Sequence, residues 1–371
     1  MFSKKLLESE VTRFITIGDN VINDIPEILD HLQLGENLLV YIPKTPLNTG
    51  NIPIVQKVLE KASLETIYRP ISCLNFDLEK EVFFLTQAKP DTIILIGDAS
   101  TIDCAKFILK HSSANFKYDW ISIPTTLEND SLTSPFIFLS IEGKGESYKG
   151  HINPPVAIIA DTVLISKAPI RYLRAGVGDL FSRATSVWDW KLANRVRSEP
   201  ISEFVAAASQ ENVMGIFVNQ IKGLQLGSPE AISMSTSMIM KALIIAGFLG
   251  GFAEDIRSCY GSEHMFAQAL DALEPGKALH GERVALGTIM MASLQGQDWR
   301  EIRSYLKQVG LPVSGSELGI KDSSIVKALI NATSYPEGFN LYSILGPGLN
   351  ENAALSLAYR TGIIGTRPGL R

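Results

Sequence analysis

The chain has 371 residues, 46% of them hydrophobic and 20% charged, with a formal net charge of -5 and an isoelectric point near 5.7. That length exceeds what one hydrophobic core usually supports, so two domains are expected. The mildly acidic balance, with no Lys/Arg-rich run, lacks the electrostatic footprint of a nucleic-acid binder and excludes nucleic acid as an expected partner.

The opening MFSKKLLESEVTRF is charged throughout and reads as a helix or strand entry rather than a signal peptide. The next 150 or so residues alternate short apolar runs with helical patterns. Leu38–Ile42, Thr92–Ile96, Trp120–Ile123 and Val156–Ala160 are nearly continuous in apolar residues, as strands covered on both faces should be. Thr66–Tyr68 reads as a further strand, and Pro53–Ala62 and Asp103–Lys110 read as helices. This alternation implies βαβ units and a mainly parallel sheet, with ligands at the carboxyl ends of its strands. Three polar turns should share that rim: Gly97-Asp98-Ala99-Ser100, Pro124-Thr125-Thr126 and Asp161-Thr162.

Beyond Asp161 the spacing becomes helical, broken at Gly227-Ser228-Pro229, Glu274-Pro275-Gly276 and Gly310-Leu311-Pro312. The expected organisation is therefore a Rossmann-like α/β domain over residues 1–165 and an all-helical domain over 166–371. The longest apolar run, Met238 to Ala253, is about 16 residues and contains Lys241, short of the roughly 20 needed to cross a bilayer. It reads as a buried core helix, with no membrane partner. The three cysteines, Cys73, Cys104 and Cys259, form no CxxC and fit a reducing, cytoplasmic compartment.

Two of the five histidines carry the chemistry. His264 opens the apolar-periodic stretch after Glu263, and His280 precedes a second one two residues before Glu282. Antiparallel helices starting this way bring both rings to one point, and neutral imidazole with carboxylate suits zinc, iron or nickel. Asp179 is the best third ligand, because Gly176 and Gly178 let the backbone around it approach closely.

Five ordered motifs, SIPTTLENDSLTSPF, PPVAIIADTVLISKAP, GVGDLFSRATSVWDWKLA, IRSCYGSEHMFAQALDAL and LHGERVALGT, closely resemble the glycerol-1-phosphate dehydrogenases. These belong with the iron-containing alcohol dehydrogenases, glycerol dehydrogenases and dehydroquinate synthases. The resemblance spans roughly residues 15 to 345. It implies a Rossmann-like domain, a helical domain, and a cleft between them for NAD or NADP and one divalent metal, zinc before nickel or iron. It implies that Asp179, His264 and His280 are metal ligands, and that Gly97, Asp98, Ala99, Ser100, Thr101, Thr125, Thr126 and Ser134 face the cofactor. Asp130, Arg257 and Gln268 then fall on the substrate side, with Asp130, Asp179 and Gln268 as the catalytic set. The implied reaction is reduction of dihydroxyacetone phosphate to sn-glycerol 1-phosphate, or of a similar polyol phosphate, by a homodimer or higher homo-oligomer. Arg69 is a candidate for a cofactor 2′-phosphate.

Two positions depart from the family. Its pyrophosphate turn has three consecutive glycines, whereas this chain has Gly97-Asp98-Ala99. A carboxylate roughly 5 Å from the pyrophosphate would oppose it by about 3 kcal/mol at an effective dielectric constant of about 20, unless Asp98 points outward or caps the following helix. Ala99 adds a Cβ where the turn calls for positive φ. Gln268 replaces a family histidine and can hydrogen-bond but not pass a proton at neutral pH. These departures motivate the alternatives of a sugar-phosphate cyclase of the dehydroquinate-synthase type or a non-catalytic homologue with impaired cofactor binding.

Overall fold

A computed structural model describes residues 11–44, 51–73, 76–112, 118–141, 146–215, 229–253, 255–335 and 341–365. The start of the amino-terminal segment (residues 1–10) and positions 227 and 228 lie outside that set.

Six strands form one parallel sheet: β1 (Phe14–Gly18), β2 (Leu38–Pro43), β3 (Thr66–Ile71), β4 (Thr92–Gly97), β5 (Asp119–Pro124) and β8 (Ala157–Asp161), in the order β1-β8-β5-β4-β2-β3. The strands expected from their apolar runs are all present. Every residue of β2, β4 and β8 is buried, which explains why those runs show no polar alternation. The period-2 pleat sorts their side chains into two cores. Leu38, Val40, Ile94, Ile96, Ile121 and Ile159 pack against one set of helices. Leu39, Tyr41, Ile93, Leu95, Ile158 and Ala160 join a core continuous with the carboxyl-terminal helices.

The register pairs Gly97 with Pro124 and Gly18 with Asp161, so the three polar turns do share one rim. The Asp161 carboxylate is committed to the fold there: it accepts from the backbone N–H groups of Ile22, Val163 and Leu164 at 3.1, 2.9 and 3.0 Å. A hairpin, β6 (Phe136–Ser140) with β7 (Glu146–His151), was not evident in the sequence. Its bulge at Ile137/Phe138 blurs the alternation that marks a strand.

Beyond Asp161 every described element is helical. The Asp179 helix (Ile170–Phe181) and the His280 helix (His280–Leu294) meet backbone to backbone, because glycines leave no side chain between them. A Cβ on Gly281 would lie 1.8 Å from the Ala175 carbonyl oxygen, and one on Gly178 would lie 2.2 Å from that of Gly281. No rotamer relieves a clash with backbone. Gly281→Ala is expected to lower unfolding free energy by about 3 kcal/mol, read from the urea midpoint. An unchanged midpoint would show that the helices do not pack this closely.

The helix containing Met238–Ala253 is longer than the sequence implied. It runs Pro229–Ala253, and its stretch Ile232–Ala253 is long and apolar enough to cross a membrane by length and composition, with half its apolar window buried in the protein. The expectation of a buried core helix therefore holds for one face only. Ile245, Phe248 and Phe252 are 46%, 42% and 51% exposed.

Candidate active site

Three helix ends bring the sequence-predicted ligands together. Asp179 lies near the end of its helix, His264 in the first turn of the helix Ser262–Leu273, and His280 at the first position of its own. The two Nε2 atoms are 3.3 Å apart, and each lies 3.4 or 3.5 Å from Asp179 Oδ1. One donor atom from each residue falls within 4.8 Å of the others, the only such group of His, Cys, Asp or Glu among the described residues. Two nitrogens and a carboxylate oxygen converging in this way fit a divalent metal and leave coordination positions for other ligands.

The surrounding side chains hold this set in place. Glu263 accepts from the backbone N–H of Gly261 at 2.7 Å and the hydroxyl of Thr185 at 2.7 Å, and lies 2.9 Å from His264 Nδ1. That contact places the proton on Nδ1 and leaves Nε2 as the donor atom. Burial opposes a charged imidazole, yet the hydrogen bonds to Asp179 and Glu263 hold the His264 pKa above its usual value.

Arg183 is fully buried, donating to Asp179 Oδ2 at 3.1 Å and Asp130 Oδ2 at 2.8 Å. Burial alone would raise the Asp179 pKa, but Arg183 and the two imidazoles hold it well below the usual carboxylate range. Asp130, with less compensation, is pushed upward by burial against the pull of Arg183. Arg183 was not singled out from the sequence, although its place four residues after Asp179 on a continuing helical pattern was the available signal.

Asp130 and the triad line a small void of about 30 Å³, which Ser134, Phe136 and Phe138 also border. Above it opens a cavity of about 390 Å³ between the rim and the helical half, lined by Asp98–Thr101, Asn129 and Ser140 on one side and His280 and Arg283 on the other. Arg283, buried against Asp271 at 2.9 Å, is the one Arg or Lys among its described lining residues. The Thr125 and Thr126 hydroxyls are buried and have no hydrogen-bond partner. A buried unmet hydroxyl costs about 1–3 kcal/mol, yet neither residue lines the cavity or the void.

Several expectations are corrected. Arg257 does not reach either cavity: it donates to the Tyr342 carbonyl at 3.0 Å and pairs with Glu199, an ion pair that ties the short helix Ile256–Ser258 to the loop after the helix Arg183–Arg197. Gln268 lines neither cavity. It is fully buried, accepting from the Tyr260 hydroxyl at 2.7 Å, and Tyr260 instead stacks on His264 with ring centres 5.0 Å apart. Arg69 makes a two-pronged pair with Glu81 at 2.8 Å for both bonds and covers the Phe84 ring at 4.3 Å. Ala99 begins the helix Ala99–Ser112 and is not among the positive-φ residues, so its Cβ adds no strain.

Asp98 caps that helix, accepting from Thr101 N–H at 2.8 Å and the Thr101 hydroxyl at 2.7 Å. The helix amino terminus offsets its charge. Asp98→Asn keeps the cap and removes the charge, and is expected to change NADH affinity less than ~10-fold in a fluorescence titration. Tightening of about 100-fold would restore the full repulsion of about 3 kcal/mol.

Residues 16–169 match the family described as iron-containing alcohol dehydrogenase. The chain is 36% identical over 359 residues to glycerol-1-phosphate dehydrogenase (NAD(P)+) of Methanosarcina barkeri, covering 96% of each chain. It is 37% identical over 360 residues to the enzyme of that name from Thermococcus sibiricus, covering 96% of this chain and 98% of that one. Among solved structures, a probable glycerol dehydrogenase from Sinorhizobium meliloti superposes with a TM-score of 0.72 at 19% identity, over 95% of this chain and 98% of that one. NADH-dependent butanol dehydrogenase A from Thermotoga maritima gives 0.69 at 14% identity, over 94% and 97%.

Proposed function

The chain belongs to the glycerol-1-phosphate dehydrogenase family of metal-dependent, NAD(P)-linked oxidoreductases, and on that premise we propose that it reduces dihydroxyacetone phosphate to sn-glycerol 1-phosphate in the cleft above Asp179, His264 and His280. The observation that carries this reading is three converging metal donors beneath a cavity of about 390 Å³ bounded by the carboxyl rim of a parallel sheet. The names of the relatives favour it over the cyclase and non-catalytic alternatives.

In this reading Asp179, His264 and His280 hold one divalent ion, zinc before nickel or iron, whose chemistry when bound is Lewis-acid polarisation of a carbonyl. The nicotinamide cofactor would supply the hydride, and the proton that completes the new hydroxyl would come from solvent reaching the cleft. Asp98–Thr101 and the helix amino terminus they open receive the pyrophosphate, and the Thr125 and Thr126 hydroxyls meet polar atoms of the cofactor, with Ser134 nearby. Arg183 orients Asp130 toward the void, where its carboxylate can accept from a substrate hydroxyl. Residues 1–165 serve as the nucleotide domain and 166–371 as the metal domain of a cytoplasmic homo-oligomer, at least a dimer.

Arg283 takes the role first expected of Arg257. It sits three residues after His280 on the same helix, a spacing that puts the two side chains side by side, and its planar fork suits a phosphate. Arg283→Met is expected to raise KM for dihydroxyacetone phosphate by about 100-fold, the loss of roughly 3 kcal/mol of charge-assisted hydrogen bonding. Turnover of unphosphorylated dihydroxyacetone should change little. Equal losses on both substrates would remove Arg283 from this role.

A further inference from the structure

The outer side of the helix Pro229–Ala253 carries a stripe that the proposed site does not use, exposed except at Met238, which is half-buried against the core. Met234, Met238, Lys241, Ile245, Phe248 and Phe252 follow one another at intervals of four, three, four, three and four residues. Alternating three- and four-residue steps keep side chains on one seam of a helix, the pattern by which two helices interlock. Met234 is 76% exposed, and Ile245, Phe248 and Phe252 are each more than two-fifths exposed. Phe204, 69% exposed, extends the patch by meeting Phe252 edge-on with ring centres 6.3 Å apart.

We infer that this stripe is a two-fold interface with a second copy of the same chain, the two helices running antiparallel. The inference rests on the homo-oligomer proposed above and names the face that forms it. A two-fold contact must be self-complementary, so that residue i meets j and j meets i. Centred on residue 243, the stripe satisfies this at every position. Met234 faces Phe252 of the second copy, Met238 faces Phe248, and Lys241 faces Ile245. Each thioether thus meets an aromatic ring, a favourable sulfur–π pairing, and the Lys241 stem covers an aliphatic neighbour while its ammonium reaches the edge.

The area is adequate. At the exposures above, with large side chains offering roughly 150–250 Å² each, Phe204, Met234, Ile245, Phe248 and Phe252 present about 550 Å² of apolar surface per subunit. Two subunits together clear the ~1,000 Å² expected of a specific interface, and a patch of several hundred Å² is at the upper end of what a monomer exposes and is often functional. A lipid surface is the less suited occupant, because a membrane-lying helix carries its cations on the polar face, whereas Lys241 lies in the middle of the apolar stripe. The opposite side of the helix abuts the site: a Cβ on Gly247 would lie 2.5 Å from Thr133 and 2.7 Å from the backbone N of Ser134. Self-association would therefore brace the wall that carries Asp130 and Ser134.

The test is sedimentation equilibrium of the full chain with Met234→Glu and, separately, Phe248→Asp, combined with cysteine crosslinking. The expected result is an oligomeric wild type whose assembly drops by a factor of two in mass in both variants. Under mild oxidation the double substitution Met234→Cys with Phe252→Cys should crosslink two chains, and Met234→Cys alone should not. A monomeric wild type would overturn both the oligomer and this face. Variants that keep the wild-type mass, or crosslinking through Cys introduced at 234 alone, would overturn the face while leaving the oligomer standing. Loss of wild-type protein onto phosphatidylcholine/phosphatidylglycerol vesicles, abolished by Met234→Glu, would assign the stripe to lipid and also overturn it.

Discussion

Replacing His264 by alanine should remove the bound metal and lower turnover by at least ~1,000-fold, with the fold retained. The side chain contributes one of only three converging donors, and its Nε2 is placed within 3.3 Å of its His280 counterpart by the Glu263 contact on the other ring nitrogen. Losing a donor from a three-ligand set leaves two, too few to hold an ion against buffer, and the reduction depends on Lewis-acid polarisation worth several kcal/mol of barrier. The alanine variant should hold less than a tenth of the wild-type metal by elemental analysis after dialysis. The ring is buried but packs at a helix start, so the circular dichroism spectrum should remain native. Glu263→Gln should act in the same direction and more mildly, weakening metal binding about 10–100-fold, because it disturbs the orientation of His264 without removing it.

The second large effect concerns stability. Arg183→Met would leave the Asp130 and Asp179 carboxylates buried without the cation they share, at a cost of about 3–5 kcal/mol. The sign of its pH dependence follows from the shifts. In the wild type the depressed Asp179 pKa contributes stability above the unfolded value of 3.8 that is lost as pH falls through the folded pKa. Without Arg183 the already raised Asp130 rises further and Asp179 loses its largest opposing charge, so the folded state takes up protons more readily than in the wild type and the deficit shrinks as pH falls. Urea melts of metal-free protein at pH 8 and pH 5 should show a smaller gap between Arg183→Met and wild type at pH 5. A constant gap would mean that Arg183 does not neutralise these carboxylates.

The legible parts of the sequence were those governed by a short-range physical rule. Short apolar runs bounded by turn residues, such as Thr92–Ile96, have the length and β-branched content of strands covered on both faces, and the order of the polar turns after them followed from the parallel sheet. The convergence of Asp179, His264 and His280 was legible because imidazole beside carboxylate is uncommon, and because Gly176 and Gly178 announce close backbone approach. Contacts that depend on side-chain reach were not legible. Arg257 and Arg283 are each a lone arginine near one of the candidate metal histidines in sequence, and each is held by a carboxylate and a carbonyl, Glu199 with Tyr342 for one and Asp271 with Ala278 for the other; only the fold shows that Arg283 also borders the cleft while Arg257 does not. Gln268 lies on the same helix as His264, yet Tyr260, four residues before that histidine, takes the position against the ring. Asp98 has two physically opposite roles, repelling an anion or capping a helix, and the hydroxyl of Thr101 decides between them. The outer face of the helix Pro229–Ala253 was hidden by its own hydrophobicity, since an apolar run without context reads as core.

The central claim is that a metal at Asp179, His264 and His280 and a nicotinamide in the cleft above it act together on dihydroxyacetone phosphate. The most direct measurement is NADH and NADPH oxidation with dihydroxyacetone phosphate by chelator-stripped protein, repeated after addition of zinc, nickel or iron. Negligible turnover of the stripped protein, restored by at least one of these metals and yielding sn-glycerol 1-phosphate, is the predicted result. No turnover with any metal and either cofactor, or turnover indifferent to chelation, would contradict it.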